Sequence, residues 1–102
     1  MTVDARERQA AEWAALMRAA QDGDSTAYNR ILREIAPVIR RIVGGRMPSA
    51  ADAEDVVQDV LLSLHSIRHT YDPARPLLPW LMSIIRYRVL DRQRQIGRRE
   101  VH

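Results

Sequence analysis

The chain has 102 residues, is 46% apolar, contains no cysteine and carries a formal net charge of +3. That length suits one modest domain with a single core, and the lack of cysteine excludes both a disulfide framework and a thiolate metal site. No apolar run approaches membrane-spanning length and the opening MTVDARERQ has no signal-peptide segment, so a cytoplasmic protein without membrane insertion is expected.

Between Glu7 and Gln21, the residues Ala10, Trp13, Leu16, Met17 and Ala20 recur at helical spacing. They predict a first amphipathic helix, rich in the best helix former and ending at Asp22-Gly23. Asp24 and Ser25 offer oxygens to cap a second helix, whose apolar side carries Tyr28, Ile31, Leu32, Ile35, Ile39, Ile42 and Val43. The spacing stays in phase past Pro37, so a kink rather than a stop is expected there, with the Arg33 carbonyl losing its helical partner. Gly44-Gly45 is the expected end of this helix.

Ser49 and Asp52 have the spacing of an N-terminal cap followed by an acid that favours the positive end of the helix dipole. The third helix carries Ala53, Val56, Val57, Val60, Leu61, Leu64 and Ile67 on one stripe. Its far side presents Asp55, Gln58, Asp59, Leu62 and Ser66, an exposed leucine within an acidic, hydrogen-bonding surface. Lone exposed leucines are common. An apolar residue ringed by polar ones is also how a small interface centre looks, and a basic partner helix would complement it.

The segment Arg68 to Pro79, RHTYDPARPLLP, contains three prolines, so a stiff loop is expected until Pro79 opens a fourth helix. Tyr71, Asp72 and Arg75 on such a loop can wall a pocket, although Asp72-Pro73 is equally the material of a simple turn. In the fourth helix Leu81, Ile85 and Val89 share a stripe flanked by Leu78 and Met82. Trp80, Ser83, Tyr87, Arg94 and Arg98 fall opposite. Gly97 is the expected end, with residues 98–102 beginning a linker.

Without strand-like alternation, these elements predict an all-α fold, a compact bundle of about four helices over residues 1–97. There is no glycine-rich phosphate loop, no cysteine nucleophile and no histidine with carboxylate and serine partners, which speaks against an enzyme. His65, His69 and His102 lack ligand spacing and read as surface or loop residues. Neither a metal nor a cofactor is expected.

The charges divide unevenly. Residues 1–60 hold eight Arg against ten acids, whereas residues 61–102 hold eight Arg against three. All sixteen basic residues are arginine, which suits bidentate and stacking contacts with phosphates and bases, although a GC-rich coding sequence produces the same bias. Rings beside guanidinium groups on the fourth helix suit a partly opened nucleic-acid strand. The plainer alternative is an amphipathic helix with a solvated basic face.

The runs Asp52-Ala-Glu-Asp-Val-Val-Gln-Asp-Val60, Tyr71-Asp-Pro-Ala-Arg75, Pro79-Trp-Leu-Met-Ser-Ile-Ile-Arg86 and Val89-Leu-Asp-Arg-Gln-Arg94 stand in an order and spacing that resembles conserved region two of the extracytoplasmic-function (ECF) sigma factors of bacterial RNA polymerase. The upstream GDSTAYNRILREIAPVIRRIV resembles the first part of that region, and the resemblance covers roughly residues 12–96. It implies that Asp55, Gln58, Asp59, Leu62 and Ser66 bind the clamp helices of the polymerase β′ subunit. It implies further that Thr70, Tyr71, Asp72 and Arg75 lie near a base flipped out of the single-stranded non-template strand of the minus-ten promoter element. Trp80, Ile84, Tyr87, Arg88, Arg92, Arg94 and Arg98 on the last helix become candidates for contact with the melted DNA. Asp91 is expected to hold a neighbouring arginine rather than touch DNA.

Family members often carry an aromatic where this chain has Leu61 or Leu62, and a glycine followed by an aromatic where it has Pro76 and Leu77. They also have a second, helix-turn-helix domain for the minus-thirty-five element, which this sequence lacks. The resemblance implies a sigma factor domain for transcription initiation and promoter melting, a monomer when free and a target for an anti-sigma factor. The alternative from another class is a sigma-like interaction module that sequesters an anti-sigma factor without binding DNA. A generic duplex-binding domain is disfavoured, because no helix pair has the short glycine turn of a helix-turn-helix.

Overall fold

The computed structural model describes residues 4–101. His102, read above as a surface residue, lies outside them. The described residues form α1 (Ala5–Gln21), α2 (Ser25–Gly44), α3 (Ala50–Ile67), a single 3₁₀ turn (Arg68–Thr70) and α4 (Leu77–Val101), so the all-α expectation holds.

Local chemistry sets each start. Asp4 accepts the Arg6 amide at 2.9 Å, Asp24 the Ala27 amide at 3.0 Å, and Ser49 the Asp52 amide at 3.1 Å. Each satisfies one of the N–H groups that a helix leaves without a partner in its first turn. Between α1 and α2 the chain reverses at Gly23, whose φ of 101° is a backbone conformation that side chains disfavour. α2 runs through Pro37 as its in-phase spacing predicts. Pro37 is exposed and has no N–H to offer the Arg33 carbonyl.

The stripes of all four helices converge on one core. Trp13 and Met17 come from α1, Ile31, Ile35, Ile39 and Val43 from α2, Val56, Val57, Val60 and Leu64 from α3, and Leu77, Leu81, Ile85 and Val89 from α4. Burial of each such side chain contributes about 1.5–3 kcal/mol. Polar links align the helices as well. The Trp13 indole N–H donates to Glu34 at 3.2 Å, joining α1 to α2, and Arg30 donates to the same carboxylate at 3.0 Å.

Three sequence expectations need correction. α4 begins at Leu77, two residues before Pro79. Pro79 still falls in the first turn, where a missing N–H breaks no helical bond, and the earlier start drives Leu77 into the core. Leu78 and Ile67, assigned to core stripes, are exposed, and Ile84 takes a buried place instead. Gly97 does not end α4, which continues to Val101. A helix-interior glycine costs only about 1 kcal/mol relative to alanine, and the neighbouring Gln and Arg residues are good helix formers.

A Cβ added at Gly97 meets nothing within 4 Å. Gly97→Ala is therefore expected to firm up the end of α4, slowing exchange of the last amides about fivefold for a gain of roughly 1 kcal/mol. Hydrogen-exchange NMR measures this directly, and unchanged exchange would mean that the last turns are not helical in solution.

Candidate functional site

The loop from the 3₁₀ turn to α4 is fastened at several points. The Gln21 side-chain amide at the end of α1 donates to the carbonyls of Arg68 (3.0 Å) and Tyr71 (2.8 Å). Tyr71 is buried, and its hydroxyl donates to the Arg75 carbonyl. Burial, reinforced by the Asp72 carboxylate, raises the Tyr71 pKa, which keeps the phenol protonated as that donor. Asp72 organises the turn: its side chain accepts the Ala74 amide at 2.9 Å, its carbonyl the Arg75 amide at 3.0 Å, and its second oxygen lies 3.6 Å from the Arg75 guanidinium. Thr70 accepts the Trp80 indole N–H at 3.2 Å, and the rings of Trp80 and Tyr71 pack 5.5 Å apart.

These contacts leave an open cavity of about 540 Å³, lined by Thr70, Tyr71, Asp72, Arg75 and Trp80 together with Pro76 and Pro79. The five loop and helix residues singled out by resemblance are thus brought together around one space. Its walls combine an aromatic ring, a hydroxyl, a carboxylate and a guanidinium, the complement needed to stack on a planar heterocycle and bond its edge. Tyr71 is a wall and a brace of this cavity. It is not the freely presented ring expected of a stacking contact, because only 3% of its surface is exposed.

Along α4 the arginines differ sharply. Arg94 and Arg98 are exposed, as is Tyr87, at 61%. The Arg88 Nε donates to Ser63 on α3 at 2.8 Å, while its guanidinium carbon lies 5.4 Å from the Tyr87 ring centre. Ile84 is buried, with 6% of its surface exposed, and lines the groove shared with Ser66, Tyr87 and Arg88. Arg92, another of the DNA candidates, is tied to α3. It is only partly exposed and is held by two α3 carboxylates, at 2.9 Å from Asp52 and 2.9 Å from Asp55, so its charge is already engaged within the protein. Asp91, expected to hold an arginine, instead accepts from Gln95 at 3.3 Å.

Asp52 thereby serves two helices. One oxygen accepts the Ser49 hydroxyl at 3.0 Å and the other accepts Arg92 Nε at 3.1 Å, with Arg99 at 3.4 Å. The hydrogen bonds from Arg92 and then Ser49 hold the Asp52 carboxyl below its usual value, and the same bond raises Arg92. A carboxylate with a depressed folded-state pKa adds stability that is fully present above its unfolded value of about 3.9 and is lost as pH falls through the folded value. Asp52→Asn should therefore flatten the acid limb of the unfolding profile below about pH 4. An unaltered acid limb in pH-resolved thermal melts would show that this pairing does not form in solution.

On α3 the residues Asp55, Gln58, Asp59, Leu62 and Ser66 are all exposed, and Leu62 is 69% exposed. Leu62 edges an apolar groove of about 380 Å³ between α2 and α3, bounded by Leu32, Ala36 and Leu61, with Tyr28 and His65 at one end. The Tyr28 hydroxyl and His65 Nδ1 are 2.8 Å apart, and Arg68 lies 5.9 Å from the Tyr28 ring centre. Burial raises the Tyr28 pKa, partly offset by the Arg68 charge. Ser66 stands apart from the acidic patch, since it also lines a groove shared with Tyr87 and Arg88.

Sequence reasoning missed Gln21, Ser63 and the interhelix use of Asp52. Their partners are far away in sequence, and periodicity carries no signal of such pairings. Among the described residues no cluster of His, Cys, Asp and Glu is placed to hold a metal ion, and no helix is long and apolar enough to cross a membrane.

Comparison with known proteins gives a consistent pattern. The family described as Sigma-70 region 2 matches residues 31–99. The ECF RNA polymerase sigma factor SigF of Caulobacter vibrioides is 37% identical over 82 residues, covering 79% of this chain and 46% of that protein. The ECF RNA polymerase sigma factor RpoE of Cereibacter sphaeroides is 32% identical over 82 residues, covering 78% and 45%. The RNA polymerase sigma factor CarQ of Myxococcus xanthus is 31% identical over 64 residues, covering 63% and 37%. The chain spans less than half the length of these curated relatives. No solved structure matches.

Proposed function

Because the chain belongs to the sigma-70 region 2 family, in its extracytoplasmic-function form, we propose that it docks on the β′ clamp helices of RNA polymerase and captures the melted non-template strand of the minus-ten element. It acts as a dissociable initiation subunit with no chemistry of its own. One observation carries this reading: the cavity that gathers Thr70, Tyr71, Asp72, Arg75 and Trp80 opens at the foot of α4, whose exposed face carries Tyr87, Arg94 and Arg98. Extruding a base costs a few kcal/mol of unstacking, which contacts in such a cavity must offset. The basic residues supply the sequence-independent attraction to phosphate.

The acidic α3 surface around Leu62 is the docking face. Its exposed apolar centre and carboxylate rim suit a basic helical partner. Affinity for DNA in isolation is expected to be weak, because the polymerase supplies strand separation and most of the binding surface. Capture of the same chain by an anti-sigma factor is compatible with this reading. A decoy that only occupied an anti-sigma factor would have no use for the Trp80 cavity or the basic face.

Titrating the purified chain with a β′ clamp-helix fragment tests the assignment. Saturable binding that shifts α3 amides at Gln58, Asp59 and Leu62 is expected, and an absence of binding would refute the docking function.

A further inference from the structure

The outward face of α2 has no part in the functions above. Arg33 and Arg40 stand exposed on it, and beside them runs the apolar groove of about 380 Å³ between α2 and α3, bounded by Leu32, Ala36 and Leu61. We propose that this face binds a second copy of the chain, in a two-fold dimer that seats Leu62 of each copy in the groove of the other.

Charge selects the partner. The ion pair of Arg40 with Glu54, at 3.6 Å, ties α2 to α3 at one level, and the contact of Tyr28 with His65 ties them at another, so the two helices run antiparallel. The α2 side of the groove carries Arg33 and Arg40, whereas the α3 side carries Glu54 and Gln58. A basic helix suits the second side and is repelled by the first, and an acidic helix meets the reverse problem. A surface divided in this way along a seam is complementary to itself. A half-turn about an axis parallel to the seam lays α2 of one copy over α3 of the other, level for level, which is the geometry of an isologous contact. Arg40 of each copy then lies over Glu54 of the other, and the two ion pairs join into a ring of alternating charge. Arg33, which has no ion pair among the described residues and donates to the Asn29 carbonyl of its own helix at 3.4 Å, comes over Gln58 of the second copy.

The apolar residues fit the same rotation. Leu62 is 69% exposed and stands on α3 at the level of Leu32. In the dimer it packs between Leu32 and Ala36 of the second copy, and the reciprocal leucine does the same. With one leucine and one ion pair from each copy at its centre, the contact falls among small, transient interfaces, with a dissociation constant on the order of 100 μM. The chain, by resemblance a monomer when free, is thus partly paired when concentrated. Leu62 also centres the polymerase-docking face, so pairing hides that face. The dimer itself stands independently of the docking assignment, and only this competition rests on it.

Sedimentation of the purified chain between about 10 μM and 1 mM tests the proposal. The mass is expected to climb from that of one chain toward that of two. Arg40→Glu and Glu54→Arg should each weaken association roughly tenfold, whereas an equimolar mixture of the two variants should pair again, because every acid then faces an arginine. Both side chains are exposed, so the fold survives either change, which circular dichroism verifies. A mass that stays at one chain throughout overturns the dimer and leaves polymerase docking untouched. Association that persists in both single variants, or a mixture that fails to recover, puts the contact elsewhere and also overturns it. A monomeric chain whose Leu32 and Arg33 amides shift with the β′ clamp-helix fragment assigns the groove to the polymerase, with the same consequence. The fragment should dissolve the dimer, and a fragment that binds while the dimer persists overturns the competition.

Discussion

Asp59→Arg combined with Leu62→Arg is expected to abolish docking on the β′ clamp helices while leaving the melting temperature of the free chain unchanged. Both side chains are exposed, and neither has an ion-pair or hydrogen-bond partner among the described residues, so nothing in the fold depends on them. Central interface residues typically contribute about 2 kcal/mol or more each, so losing two of them weakens binding roughly a thousandfold. Arginine also opposes a basic partner with like charge. Asp55 is a poorer probe of the same surface, because its carboxylate holds Arg92 at 2.9 Å and a cation there would disturb the contact between α3 and α4. Unchanged affinity in the double variant, read by anisotropy against a labelled clamp-helix fragment, would remove the docking face from α3.

Trp80→Ala is expected to cripple capture of single-stranded minus-ten DNA by the polymerase complex and to spare docking. Loss of a base-stacking ring costs about 1–3 kcal/mol, or roughly five- to 150-fold in affinity. The indole also packs on Tyr71 and bonds Thr70, so the alanine variant should melt somewhat lower as the cavity wall loosens. Trp80→Phe separates the two effects. It keeps a ring against Tyr71 and forfeits only the N–H to Thr70, so most of the DNA affinity should return. Equal affinity for wild-type and alanine complexes on a pre-melted promoter would mean that the ring is only structural.

What could be read from residue order was the part of the fold that repeats. Apolar side chains at helical intervals and capping oxygens at Asp24 and Ser49 announced four helices, because both are local consequences of helical geometry. The ends of α4 were less legible. Pro79 is compatible with several positions in a first turn, and the burial of Leu77 selects among them. Gly97 carries too small a penalty to stop a helix flanked by good formers. The exposed α3 surface is visible as a pattern, whereas the bonds from Arg92 to Asp52 and Asp55 span 40 and 37 positions and leave no trace in it. Tyr71 illustrates the same limit: an aromatic loop residue can display its ring or bury it, and only the tertiary position of the Arg75 carbonyl and the core decides.

The clasp between Gln21 and the loop that follows α3 has a practical meaning for anyone trimming this protein. The stretch shared with the wider family begins at residue 31, ten positions after that glutamine. A version shortened to the common block would keep the signature runs from Asp52 onward and still forfeit the strap that holds the Trp80 cavity in shape, along with the buried Trp13 and Met17. The first helix, least marked by family resemblance, is what fastens the loop between α3 and α4.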